Sequence, residues 1–170
     1  MVKVTVDKDW FDPQGFDRGG LPTPGKGHYR VEDIEVRNGR NGQYLSVKCT
    51  ILAHEDASNV GKTTYNTFTL SGKGVNRLLT YCQACGVVTK EQVARFYQDQ
   101  GEQFSIPAEE TEGKTFCGTL EAGENPNNGK KTCKVEFDFV NPMSDEAADY
   151  PKEKDALPGA PPENPEDVPF

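Results

Sequence analysis

Cys82-Gln83-Ala84-Cys85 has the spacing that zinc and thiol chemistry use, two thiols about one helical turn apart. A metal would need further ligands, and Cys117, Cys133, His28 and His54 are the ones to consider. None of them makes a second paired motif, and Cys82 continues an apolar repeat with Val75, Leu78 and Leu79. The pair therefore reads as packing residues, and neither metal nor cofactor is expected. Asn59-Val60-Gly61-Lys62-Thr63-Thr64 ends like a phosphate-binding loop, but the motif's first glycine would fall on Asp56. Nucleotide hydrolysis is not expected from it. His28 and His54 have no Ser, Cys or carboxylate in a triad arrangement, so the chain reads as a non-enzyme.

Stacking and phosphate chemistry are better supplied. Tyr29, Tyr44 and Tyr65 are interleaved with Arg37, Arg40, Lys48 and Lys62, and Lys134 stands in a later strand. Rings stack on bases whatever the sequence, and cations hold the backbone, which suits single-stranded nucleic acid. An ordinary solvated sheet face carries similar residues. Trp10, Phe11 and Phe16 are expected to pack a lead-in arm onto the body. The last eight residues hold three acids, Glu163, Glu166 and Asp167, followed by Val168-Pro169-Phe170. An apolar ring beside a carboxylate, behind a proline that limits backbone freedom, suits a basic-rimmed apolar pocket on a partner.

The elements that must position these groups follow from hydropathy period and turn residues. A strand is expected at His28–Arg37, where Tyr29 and Val31 alternate and Ile34 and Val36 resume on a shifted phase. That shift predicts a bulge near Glu32–Asp33. Asn38-Gly39-Arg40-Asn41-Gly42 makes a hairpin to a second strand, Gln43–Leu52. There Leu45, Val47, Cys49 and Ile51 face one way, and Tyr44, Ser46, Lys48 and Thr50 the other. The third strand, Lys62–Leu70, puts Phe68 and Leu70 inside and Tyr65 outside. Ser71 is the expected cap of a helix that Gly86 ends, and Thr89 with Gln92 predicts a capping box opening a second helix. Strands at Lys114–Leu120 and Lys130–Val140 complete the set, the last with Cys133, Val135, Phe137 and Phe139 on one face. Three strands, a helical insertion and two strands give a mainly β fold, a five-stranded OB-fold-like barrel.

Composition sets the boundaries. The chain has 170 residues, 34% of them hydrophobic, and a mean hydropathy of −0.73. One domain at 1–140 is expected, then a disordered linker at 141–162 rich in Pro, Ala and charge, then the acidic tip at 163–170. Net charge is −8, yet residues 141–170 carry eight acids against two lysines. Between positions 18 and 48 six cations outnumber three acids, so the body keeps a basic stretch. Five irregularly spaced cysteines suit a reducing compartment, and no apolar run is long enough to span a membrane. The expected location is a cytoplasm, that of an infected host if the protein is viral.

Two resemblances add to this reading. The ending Glu163–Phe170 resembles the C-terminal tip of bacterial single-stranded DNA-binding proteins, an acidic run closed by Ile-Pro-Phe, with Val168 in place of isoleucine. The stretch from Leu21-Pro22 through Tyr29 to Gly86 resembles small bacteriophage proteins of replication and recombination modules, with a stretched Leu-Pro-x-Gly-x-Tyr entry. Together they imply a phage-type protein that coats single-stranded DNA with little sequence preference. Tyr29, Arg37, Arg40, Tyr44, Lys48, Lys62, Tyr65 and Lys134 would contact DNA. Glu166, Asp167, Val168, Pro169 and Phe170 would recruit host or phage replication and repair proteins. The alternative is a protein-interaction module that copies the tip to occupy a host pocket. The oligomeric state, a homo-oligomer included, stays open.

Overall fold

In β2 (Gly42–His54) the alternation of apolar and polar residues sends Leu45, Val47, Cys49 and Ile51 into the core, none more than 4% exposed. Its neighbours are β1 (Gly25–Gly39) and β3 (Thr63–Thr69). Two helices, α1 (Gly74–Ala84) and α2 (Lys90–Gln100), separate β3 from β4 (Thr115–Glu124) and β5 (Lys131–Val135). This computed structural model describes residues 1–3, 20–40, 42–101, 103–126 and 128–157. The expected lead-in aromatics Trp10, Phe11 and Phe16 and the tip 163–170 lie outside them. The strands form one antiparallel sheet in the order β3-β2-β1-β4-β5. No helix among the described residues is long and apolar enough to cross a membrane.

The expected bulge lies where the hydropathy phase shifts. The register of β1 on β2 slips between Val31 and Asp33, leaving Glu32 without an opposite residue, and slips again between His28 and Tyr29. Past the bulge the hairpin outruns the core, so Ile34 is half-buried and Val36 is exposed.

Helix α1 buries Leu78, Tyr81 and Cys82 on one stripe. It starts later than its sequence suggests: Ser71 does not cap it, and Lys73 stands at the N-cap with no side-chain bond. A turn at Ser71–Lys73 intervenes, and the helix then begins at Gly74, where a Cβ would collide with Thr69 Oγ1. That close approach seats α1 tightly on β3. At the other end Gly86 takes φ +77°, Val87 N donates to Cys82 O and Gly86 N to Gln83 O, which closes the helix. Helix α2 opens with the expected capping box, Gln92 N donating to Thr89 Oγ1 (3.1 Å) and Thr89 N to Gln92 Oε1 (2.8 Å).

The core is aromatic. Tyr81 stacks on Phe68 with ring centroids 4.8 Å apart and meets Phe116 and Phe139 edge-on. Its hydroxyl donates to Thr111 Oγ1 (2.8 Å).

Three expectations need correction. Leu70 is not an inner residue: β3 ends at Thr69 and the leucine is partly exposed in the following bend. Strand β5 stops at Val135, so Phe137 leaves the inner face and is 81% exposed, while Phe139 returns to the core. Residues 141–157 are folded onto the body, not a structureless linker. Val140 pairs with Cys117, and Ala147 and Tyr150 pack on that bridge. Asp138 accepts from Thr119 Oγ1 and Tyr150 OH, and Glu153 N donates to His28 Nδ1 (3.0 Å). A few apolar residues and a buried acceptor suffice to order a segment whose composition is polar. Residues 158–162 of the expected linker lie outside the described residues.

Candidate nucleic-acid interface

Alternation puts every second side chain of β2 and β3 on the outer surface. Across the pair, Tyr44 stands opposite Thr69, Ser46 opposite Thr67, and Lys48 opposite Tyr65. On the far side of β3 lies β5, whose Thr132 and Lys134 alternate with the buried Cys133 and Val135. Between these walls runs a groove of about 580 Å³. The β1–β2 turn closes one side with Arg40, and the β4–β5 turn closes the other with Glu124 and Pro126. Tyr44, Tyr65, Thr67, Lys134 and Glu136 line it.

The structure thus brings four of the eight expected contact residues into one groove: Arg40, Tyr44, Tyr65 and Lys134. Tyr65 presents its ring to solvent at 55% exposure, a surface on which a base can stack. Lys134 Nζ is 3.8 Å from Glu136 Oε1, a loose pair that leaves the ammonium accessible to a phosphate. Lys48, across from Tyr65, extends the same face beyond the groove, and Lys62 precedes β3 at its far end. Arg37 sits on the hairpin outside the groove, with its guanidinium on the exposed Glu35 (2.8 Å).

Tyr29 does not belong with them. Its ring is fully buried against Phe116, and its hydroxyl donates to Gly118 O (3.0 Å). Burial pushes the phenol far above its ordinary pKa, so it stays neutral and cannot meet a base or a phosphate. The sequence showed an aromatic in a strand without telling which face it took.

The other chemical groups are structural here. Cys82 and Cys85 are both in the core, and burial pushes the Cys82 thiol up to about 12 and the Cys85 thiol well up, so neither is a ready thiolate. Among the described residues, no group of three or more His, Cys, Asp or Glu is placed to hold a metal. His54 Nδ1 accepts from Asp56 N (2.9 Å), and Asn59 beside it donates to Thr23 Oγ1 (2.8 Å). The turn that ends like a phosphate loop is therefore occupied in tying the chain's entry to β3. His28 is buried, and burial, helped by Lys152, lowers it from 6.5 to about 4.

Sequence reasoning did not single out Arg77, nor did it bring Thr67, Glu136 and the β4–β5 turn to the groove. A cation at position 77, one residue before the buried Leu78 and four before the buried Tyr81, is the signal that could have found the first. The groove's charges also matter: Arg40 and Lys134 are set against Glu124 and Glu136. No protein-family model and no curated protein matches the chain. What the groove takes must be inferred from its own side chains.

Proposed function

We propose that the protein binds single-stranded DNA with little sequence preference, as a non-enzymatic coat, in the groove over β2, β3 and β5. The observation that carries this is the convergence of Tyr44, Tyr65, Arg40 and Lys134 on one open groove. Two rings supply stacking platforms and two cations supply phosphate contacts, the pairing a single strand needs. Topology supports it. The order β3-β2-β1-β4-β5, with side chains linking the two edge strands, is the order expected of an OB-type barrel opened between β3 and β5. Barrels of that kind bind oligonucleotides on the β2–β3 face between the β1–β2 and β4–β5 turns, where this groove lies. On this reading the acidic tip, Glu166, Asp167, Val168, Pro169 and Phe170, recruits replication or repair proteins and competes with DNA for the basic residues.

A second reading is a protein-interaction module. It is favoured by the balance of two acids against two cations in the groove. An apolar cleft of about 960 Å³ between α1, α2 and the β1–β2 hairpin, with Leu70 and Tyr97 partly exposed, favours it too.

Titration with fluorescent oligo-dT and with duplex of equal length separates the two. Preference for the single strand, weakening as salt rises, is expected of the first reading. Equal or negligible binding of both would leave the interaction module.

A further inference from the structure

Beneath the groove, β3 and β5 face each other across a seam fastened by side chains. Thr64 Oγ1 donates to Cys133 O (2.8 Å), and Asn66 Oδ1 accepts from Val135 N (3.1 Å). Among the described residues no backbone ladder joins these two strands. The third fastening comes from α1. Arg77 Nη1 donates to Thr67 O on β3 (2.6 Å), while Nη2 donates to Val135 O (2.5 Å) and Nε to Glu136 O (2.9 Å) on the β5 side. The guanidinium lies over the Phe68 ring, 4.4 Å from its centroid. A planar fork with donors in fixed directions relates both walls to one helix, which a lysine's single ammonium cannot do.

We infer that Arg77 is a positioning residue for the groove. Its partners Thr67 and Glu136 themselves line the groove, and their strands carry Tyr65 and Lys134. It therefore sets the separation between the stacking ring of Tyr65 and the cation of Lys134, hence the fit of a base and its phosphate. Arg77 itself is not among the residues that line the groove, and three of its five N–H donors are given to carbonyls of the two walls. The inference rests on the single-strand reading of the groove.

The test uses the full chain with Arg77→Lys, and Thr64→Val as a milder probe. Thr64 is 2% exposed and cannot reach a ligand, yet its hydroxyl fastens the same seam. Folding is followed by circular dichroism, and oligo-dT affinity is measured below the melting transition over a range of salt. Both variants should be folded and should lose affinity, Arg77→Lys on the order of ten-fold, with the salt slope of the wild type kept. Undiminished affinity in the folded variants would reduce Arg77 to a stability residue. A slope lower by about one in Arg77→Lys would make it a direct phosphate contact instead. Should Arg77→Lys fail to fold, Thr64→Val decides alone: lost affinity at constant slope upholds the seam's role, and unchanged affinity overturns it. Absence of single-strand binding by the wild type is a separate failure, that of the groove's assignment.

Discussion

Tyr65 and His28 show how much burial decides at the scale of one residue. Tyr65 is exposed, so Tyr65→Ala removes little from the fold and should weaken oligo-dT binding by about 1–3 kcal/mol if a base stacks there. Titration with melting temperature as control would show it, and a binding loss matched by a comparable loss of stability would speak against stacking. His28 is the opposite case. Its imidazole accepts from Glu153 N and is held neutral, with a folded pKa near 4 against 6.5 for the exposed group. The unfolded chain therefore binds more protons between those values, and stability falls as pH falls from about 6.5 towards 4. The contribution is fully present above that window and amounts to about 3 kcal/mol at most. Thermal melts of wild type and His28→Asn from pH 7.5 to 4.5 should diverge at the top of the range and converge at the bottom. Parallel curves would show that His28 does not carry the pH dependence. The outward face of Tyr65 was legible in the alternation of β3; the burial of His28 and of Tyr29 was not. A tyrosine or histidine in a strand reveals its face only when neighbouring phases are known, and the bulge at Glu32 changes that phase within β1 itself.

At the scale of elements the sequence was more informative, wherever a local rule decided the structure. The alternation in β2, the bulge in β1, the capping box at Thr89 and the glycine end of α1 all depend on residues close in sequence, and all are present. Gly86 at φ +77° makes a direct test. Gly86→Ala should destabilise the protein by about 1–2 kcal/mol through left-handed backbone strain, with oligo-dT binding unchanged in the folded protein. A stability change near zero by urea unfolding would mean that the α1 end relaxes freely. Where distant contacts decided, the sequence misled. Phe137 fits the period-two pattern of Cys133 and Val135, but the chain leaves β5 after Val135 to bring Val140 back onto Cys117. Ser71 is a good capping residue, yet the packing of Gly74 on Thr69 fixes where α1 starts. Residues 141–157 look like linker because their composition is polar, and bonds from Tyr150 to Asp138 and from Glu153 to His28, with Ala147 and Tyr150 packed on the Val140–Cys117 bridge, order them.

At the scale of the whole molecule, residues 158–170 carry three of the eight net negative charges and residues 1–157 the other five, and the groove's own balance makes the charge of the end matter. Arg40 and Lys134 are offset locally by Glu124 and Glu136, so a modest extra negative charge nearby is enough to compete for them. Residues 158–170 bring Glu163, Glu166 and Asp167 with no cation. From Leu157, the ten residues to Asp167 extend at most about 35 Å, which sets the distance over which the acids can act. A chain ending at Leu157 keeps the folded strap, including Tyr150 and Glu153, and loses only these acids and the apolar Val168-Pro169-Phe170. Its melting temperature should match the full chain. Its affinity for oligo-dT should be higher at low ionic strength, and the two chains should converge as salt approaches the point where exposed charges are screened within about 8 Å. Equal affinity at every salt concentration would show that the acids do not reach the groove, leaving partner recruitment as the end's role. Lower affinity in the shortened chain would be the more serious outcome, since it would place part of the single-strand site in residues 158–170 and not between β3 and β5.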